Sequence, residues 1–490
     1  MRWTEKIRTP DRTGRRASRA SLTPEDRERI REERRKRRIE RTRLVARVPA
    51  RAAEATARGV EATARGVARG ATGVARVPVI VVRYPALALI DVWRYWRAER
   101  TTLRQGMAAL SISALGNLPT GLALGFMTGR LKLLPGLFIL IPAAIGMRGN
   151  IFGALGSRLG TSIHAGLFQV SMDKRGVLYQ NVYAATLLTF MTSLFLAVAA
   201  RVVSSATGLA SISIWDFVVI SVLGGVFSSA FILVLTVALA REGYRRDWDL
   251  DAVAAPLITF MGDLITLPAL FAASYVAARG KVTLVLGIAC ALVCGYAFVM
   301  AVQTKLPTAK RILVESAVVL ALAGSIDMIA GTVVEHRLDR FIALPALLIM
   351  LPAFLENAGA LGGIVASRLA SRLHLGAIRP RLLPERLAAL DISLAGPWAV
   401  LNFGLTGVTA HFIAVATNKA SPGLLLMVGI ALLAGAFSTV GAALLAYGTA
   451  VATFRFGLDP DNHGIPMITS SMDLAGVLAV VGVVVLLGVR

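Results

Sequence analysis

Apolar residues in this chain come in long unbroken blocks rather than at the spacing of an amphipathic surface helix; the stretches 184–200 and 430–446 are examples. A helix needs about 20 such residues to cross a hydrocarbon core roughly 30 Å thick. Segments of this kind fall at roughly 106–128, 133–160, 181–203, 213–240, 252–278, 282–303, 316–335, 343–370, 390–416, 422–450 and 463–488. The pattern predicts an all-α polytopic membrane protein with about eleven spans.

Comparing the chain with itself at a shift of 210 residues organises these segments. Pro135 then meets Pro345, Pro142 meets Pro352, and Ser157-Arg158-Leu159 meets Ser367-Arg368-Leu369. Further on, Asp249, Asp251, Pro256, Thr259 and Asp263 meet Asp459, Asp461, Pro466, Thr469 and Asp473. One register held over more than a hundred residues marks an internal repeat. The expected organisation is an arm over 1–104, a five-helix copy over 105–280, a linker helix over 281–310 and a second five-helix copy over 311–490.

Charge decides how the copies are oriented. Five helices per copy would leave tandem copies inverted, and one spanning linker makes them parallel. With a cytoplasmic N-terminus and eleven spans, only nine of the 53 Lys/Arg fall outside: Arg130, Lys132, Arg201, Arg279, Lys281, Arg337, Arg340, Lys419 and Arg490. Without a spanning linker, the basic loop bearing Arg368, Arg372, Arg379, Arg381 and Arg386 would face outside, against the positive-inside rule. Parallel copies are expected, related by a pseudo-twofold axis along the membrane normal.

Composition agrees: 56% of residues are hydrophobic and mean hydropathy is +0.66. The net charge of +24 is concentrated in the arm, where residues 1–104 hold 28 Lys/Arg against 12 Asp/Glu. Ahead of a membrane domain, such an arm is expected to meet anionic lipid headgroups rather than nucleic acid. Thr23-Pro24 reads as a helix start, Val60, Val67 and Val74 recur every seven residues, and 78–96 reads as an interfacial stretch. The first 50 residues show no apolar core of a cleavable leader, so a multi-pass protein of the cytoplasmic (inner) membrane is expected. Cys290 and Cys294 lie one helical turn apart in an apolar segment and read as packing residues.

Ionisable groups inside the predicted spans are the candidate chemistry, because each costs several kcal/mol there. Asp263 and Asp473 occupy matching places in the last segment of each copy, with Thr259 and Thr469 four residues earlier on the same helix face. Together with carbonyls loosened by Pro256 and Pro466, they would make an all-oxygen, acidic constriction suited to a hard divalent cation. Capping of a neighbouring helix is the competing reading. Asn117 pairs by offset with Asp327, and Asn181 with Asp391, either in a shared wet environment or in hydrogen bonds between helices. Glu356 replaces Gly146 and is a candidate coupling site. Nothing matches a Cys/His zinc set, a nucleotide loop or a catalytic triad, so no enzyme activity and no cofactor are expected.

Two motifs carry a family resemblance. Pro142-Ala-Ala-Ile-Gly-Met-Arg-Gly-Asn150 followed by Ser157-Arg158-Leu159, and Asp249-Leu-Asp251 through Pro256 to Gly262-Asp263 with its later copy ending at Asp473, resemble the MgtE-type magnesium transporters. The resemblance covers about 103–490 and is closest to the fused two-copy form of the animal solute carriers. It implies a central cation pathway with Asp263 and Asp473 as ion ligands, and magnesium as cargo. A single chain then suffices for a pore, and a homodimer is not forbidden. The second copy departs from the motif, reading Glu356-Asn-Ala-Gly-Ala360, with Met472 in place of the glycine before the aspartate. The expected function is divalent cation transport between the copies; a sodium- or proton-coupled exchanger on the same scaffold is the alternative, motivated by Asp327, Glu356 and Asp391.

Overall fold

The computed structural model describes residues 90–164, 168, 170–171, 173–246, 250–381, 383–457 and 464–488. The features expected at Thr23 and at the heptad valines lie outside these residues, as do Asp249, Asp459, Asp461 and the side chains of Asp251, Pro256 and Thr259. Among the described residues there is no strand.

The helices run in order: α1 over 90–98, α2 Arg100–Gly116, α3 Leu118–Phe126, α4 Thr128–Leu133, α5 Leu137–His164, α6 Val177–Ala206, α7 Ile214–Arg246 and α8 Leu250–Ser274. After the linker α9 (Lys281–Gln303) follow α10 Pro307–Glu335, α11 Leu338–Ala343, α12 Pro345–His374, α13 Arg386–Ser393, α14 Ala395–Ala416, α15 Leu424–Phe456 and α16 Ile465–Leu486. Counting α2 with α3 and α13 with α14 as single spans, ten helices among the described residues are long and apolar enough to cross a membrane. Helix α8, with 25 residues, adds the apolar stretch Phe260–Ser274.

Proline explains where the copies differ in outline. The first span breaks at Asn117 because Pro119 opens a new helix, whereas α10, with Ile329 at the matching place, runs through. The α13–α14 break at Leu394 lies just before Pro397, and α6 carries Leu187 there and stays continuous. The short helices α4 and α11 keep the 210-residue offset.

The first span of each copy does not pack mainly within its own copy. Helices α2 and α3 lie against α12 and α14 of the second copy, while α10 lies against α5 and α6 of the first. Each also touches the last helix of its own copy, α8 and α16 respectively. Small residues permit the crossing. A Cβ on Gly121 would fall 2.0 Å from the Ile349 carbonyl oxygen, and one on Gly331 would fall 2.8 Å from the carbonyl oxygens of Phe138 and Ile139. These residues are two pairs at the same offset, so the crossings are pseudo-symmetric. Glu335 at the end of α10 ties the exchange by accepting hydrogen bonds from the backbone of Gly136 at 2.7 Å and Phe138 at 3.2 Å.

The linker α9 packs mainly against α6 and α7, with a slight contact to α10, burying Cys290 and Cys294 on the α6–α7 side. Its other side exposes Val285, Leu292 and Tyr296, an apolar surface fit for lipid.

Candidate ion-binding site between the two copies

The crossed first spans bring four acids to the interface. Asp263 is buried on α8, and its carboxyl lies at hydrogen-bonding reach of Glu356 on α12. Glu356 in turn accepts a long hydrogen bond, 3.5 Å, from Ser113 Oγ on α2. Asp473 on α16 is half-buried and lies close enough to Asp327 on α10, to Glu356 and to Asp263 for their charges to interact.

Asp327 is the most enclosed of the four. It is 0% exposed, with Ser470 beside it, and neither carboxylate oxygen has a hydrogen-bond partner among the described residues. Its room comes from Gly146 on α5, where a Cβ would stand only 2.8 Å from Oδ2. A carboxylate left without donors in such a place carries a large desolvation cost. A bound cation or a proton would relieve that cost.

Helix approach shapes the surroundings. Gly359 on α12 lets Thr469 come within ordinary contact, 3.6 Å from a Cβ placed there. The Thr469 hydroxyl donates to the Pro466 carbonyl at 3.1 Å, along its own helix. Asn117 is buried and donates to the Ser113 carbonyl at 3.3 Å, and its Oδ1 has no partner among the described residues.

Asn181 and Asp391 stand apart from this cluster, each beside the arginine of the repeated Ser-Arg-Leu motif. Arg158 Nε donates to Asn181 Oδ1 at 2.9 Å. Asp391 accepts from Arg368 Nη2 at 2.7 Å and from the Tyr95 hydroxyl at 2.5 Å, and it pairs with Arg372. Tyr95 belongs to α1, and burial together with the Asp391 carboxylate holds its phenol above the ordinary range. Trp96 Nε1 adds a bond to Ser393 at 3.1 Å.

Arg148 enters the reading of the sequence only as a member of the family motif and is not among the site residues expected there, although a guanidinium in the middle of an apolar segment is a signal. It is 0% exposed and donates through Nη2 to Ser193 Oγ at 2.7 Å, while Nε and Nη1 lack partners among the described residues. Gly225 makes way for its head. In the second copy the matching residues are Ala358, Phe403 and Gly435, and the Phe403 ring fills the space against Gly435.

The two copies form pseudo-symmetric helical bundles spanning the membrane, with buried acids gathered at the interface between them. The MgtE family, described as divalent cation transporters, matches residues 141–273 and 351–483, two stretches related by the same 210-residue offset. The chain belongs to that family and is a multi-pass membrane protein. It is similar to solute carrier family 41 member 3 of Mus musculus, with 23% identity over 362 residues, covering 69% of this chain and 73% of that protein. Solute carrier family 41 member 2 of Xenopus laevis is 24% identical over 372 residues, covering 70% of this chain and 64% of that one. No solved structure matches.

Proposed function

We propose that this chain carries divalent cations, magnesium first, across the membrane along the interface between its two copies. What supports the reading is the convergence of Asp263, Glu356, Asp473 and Asp327 from four helices onto that interface. Among the described residues no three acidic, histidine or cysteine side chains gather closely enough to cage a bare ion. Pairs of carboxylates facing a wet path suit a cation that keeps several of its waters, as magnesium does, because it dehydrates reluctantly. The carboxylates would accept hydrogen bonds from those waters and offset the charge in transit. Thr469 is a neighbouring hydroxyl of the same proposed path, and Thr259 is its counterpart by the 210-residue offset. An N-terminus on the cytoplasmic side, with the basic arm against anionic headgroups, completes the reading.

Coupling to sodium or protons is the second reading. It is favoured by the carboxylate of Asp327, which has no hydrogen-bond partner among the described residues, and by the close approach of Glu356 to Asp263, which a shared proton would stabilise. Magnesium uptake into proteoliposomes, followed with an internal magnesium-sensitive dye, tests both. Uptake driven by the magnesium gradient alone supports a passive pathway. Uptake that requires an opposing sodium or proton gradient moves the assignment to an exchanger. No flux of any divalent cation would sink both.

A further inference from the structure

Arg148 places a full positive charge inside the first copy, since a guanidinium keeps its proton in a protein. It is 0% exposed, and among the described residues no carboxylate accepts from it: Nη2 donates to Ser193 Oγ, while Nε and Nη1 have no partner. A buried charge of this kind is costly unless a counter-charge is buried with it.

The helices around it offer donors and room. Ser193 on α6 gives its oxygen to Arg148, so its own O–H remains a donor. Gly225 on α7 leaves space for both groups, because a Cβ there would fall 2.4 Å from Nη2 and 2.5 Å from Ser193 Oγ. Helix α8 closes the third side. A Cβ on Gly262 would stand 3.8 Å from Arg148 Cβ, and two turns further on Leu270 lies against Gly224, where a Cβ would stand 3.0 Å from Leu270 Cα. Thr266 falls midway between them on the same face of α8. It is 0% exposed, and its Oγ1 has no partner among the described residues. Two helices therefore turn unpartnered, fully buried polar groups toward the junction of α5, α7 and α8.

The second copy removes these groups together. Arg148, Ser193 and Thr266 match Ala358, Phe403 and Gly476, and Ser221, which donates to the Ser193 carbonyl at 2.7 Å, matches Ala431. The Phe403 ring takes the space there, with its Cδ2 2.3 Å from a Cβ placed on Gly435. One bundle is packed with an aromatic ring, and the other holds a cation and hydroxyls in its place.

We infer that the first copy holds a resident monovalent anion, chloride being the simplest, bound by Arg148 with the hydroxyls of Ser193 and Thr266. The set consists of donors around one positive charge. A singly charged anion matches it, whereas a divalent anion would leave a negative charge buried without compensation. A water molecule would satisfy the N–H groups but not the charge. The site lies within one copy, apart from the acids between the copies, and does not depend on the transport reading.

The test is equilibrium dialysis of the full-length protein, prepared in detergent and sodium gluconate, against radioactive chloride. The wild type should bind one chloride per chain that Arg148→Met does not bind. That variant loses guanidinium and anion together, a replacement that buried ion pairs tolerate. Thr266→Val should weaken chloride about tenfold, the scale of one hydrogen bond to a charged group. The wild-type melting temperature should rise with the logarithm of chloride concentration, and that of Arg148→Met should not. Bromide should displace the bound chloride and sulfate should not.

A wild type that binds no chloride, or chloride bound equally by wild type and Arg148→Met, would overturn the inference, as would displacement by sulfate. If Arg148→Met does not fold, an unchanged chloride affinity in Thr266→Val would overturn it instead. None of these readings involves magnesium flux, so loss of the transport reading would leave the anion site standing and loss of the anion site would leave transport untouched.

Discussion

Gly121 of the first copy sits against the backbone of Ile349 in the second, so closely that a methyl group would fall 2.0 Å from the carbonyl oxygen. Gly331 meets Ile139 in the same manner from the other side. The two contacts are where each copy lends its first span to the other, and they set the distance across the interface that holds the acids.

Substitution of Gly121 by leucine should therefore force the crossing open. Overpacking at a tight contact costs about 1–3 kcal/mol, and here the obstacle is backbone rather than a side chain that can rotate away. A lowered melting temperature in detergent is expected for Gly121→Leu and for Gly331→Leu. Melting temperatures equal to wild type in both would contradict the exchange of first spans.

Arg148 should be dispensable for folding. Its Nε and Nη1 are buried without partners among the described residues, and the second copy fills the same region with Phe403. Replacing an unpaired buried charge by an apolar side chain is expected to stabilise by about 1–3 kcal/mol. Arg148→Met should raise the melting temperature, and adding Ser193→Phe, in imitation of the second copy, should not reverse the gain. A drop in stability for both variants would show that the guanidinium has an interaction essential to the fold.

Asp391 should matter for stability and not for the passage of ions. It is 1% exposed and answers Arg368, Arg372 and Tyr95, away from the four clustered acids. Asp391→Asn leaves two arginines facing a neutral group, and breaking such a buried pair costs about 3 kcal/mol. The expected result is a lower melting temperature with flux per folded molecule close to wild type. Loss of flux at unchanged stability would return Asp391 to the ion path.

Much of this architecture is legible in the sequence because the 210-residue offset survives in prolines, the Ser-Arg-Leu motif and the final aspartates. The crossing of the first spans is not, since Gly121 and Gly331 would keep the same offset whether they packed at home or on the other copy. Asn181 and Asp391 show the same limit. Their shared polarity reads equally well as a wet path or as a helix contact, and only the positions of Arg158 and Arg368 reveal what each polar group answers. Glu356 and Asp327 look like separate departures from symmetry along the chain; folding brings both near Asp473 at the interface between the copies. The helix breaks at Asn117 and Leu394 could be read from Pro119 and Pro397, which lie two and three residues beyond.

The most direct test of a cation path between the copies is magnesium flux through proteoliposomes of the double variant Asp263→Asn with Asp473→Asn, compared with wild type at equal amounts of folded protein. A fall of about tenfold or more is the predicted result, as for other losses of metal-holding groups. Flux equal to wild type in the folded double variant would contradict the assignment of these acids to the path.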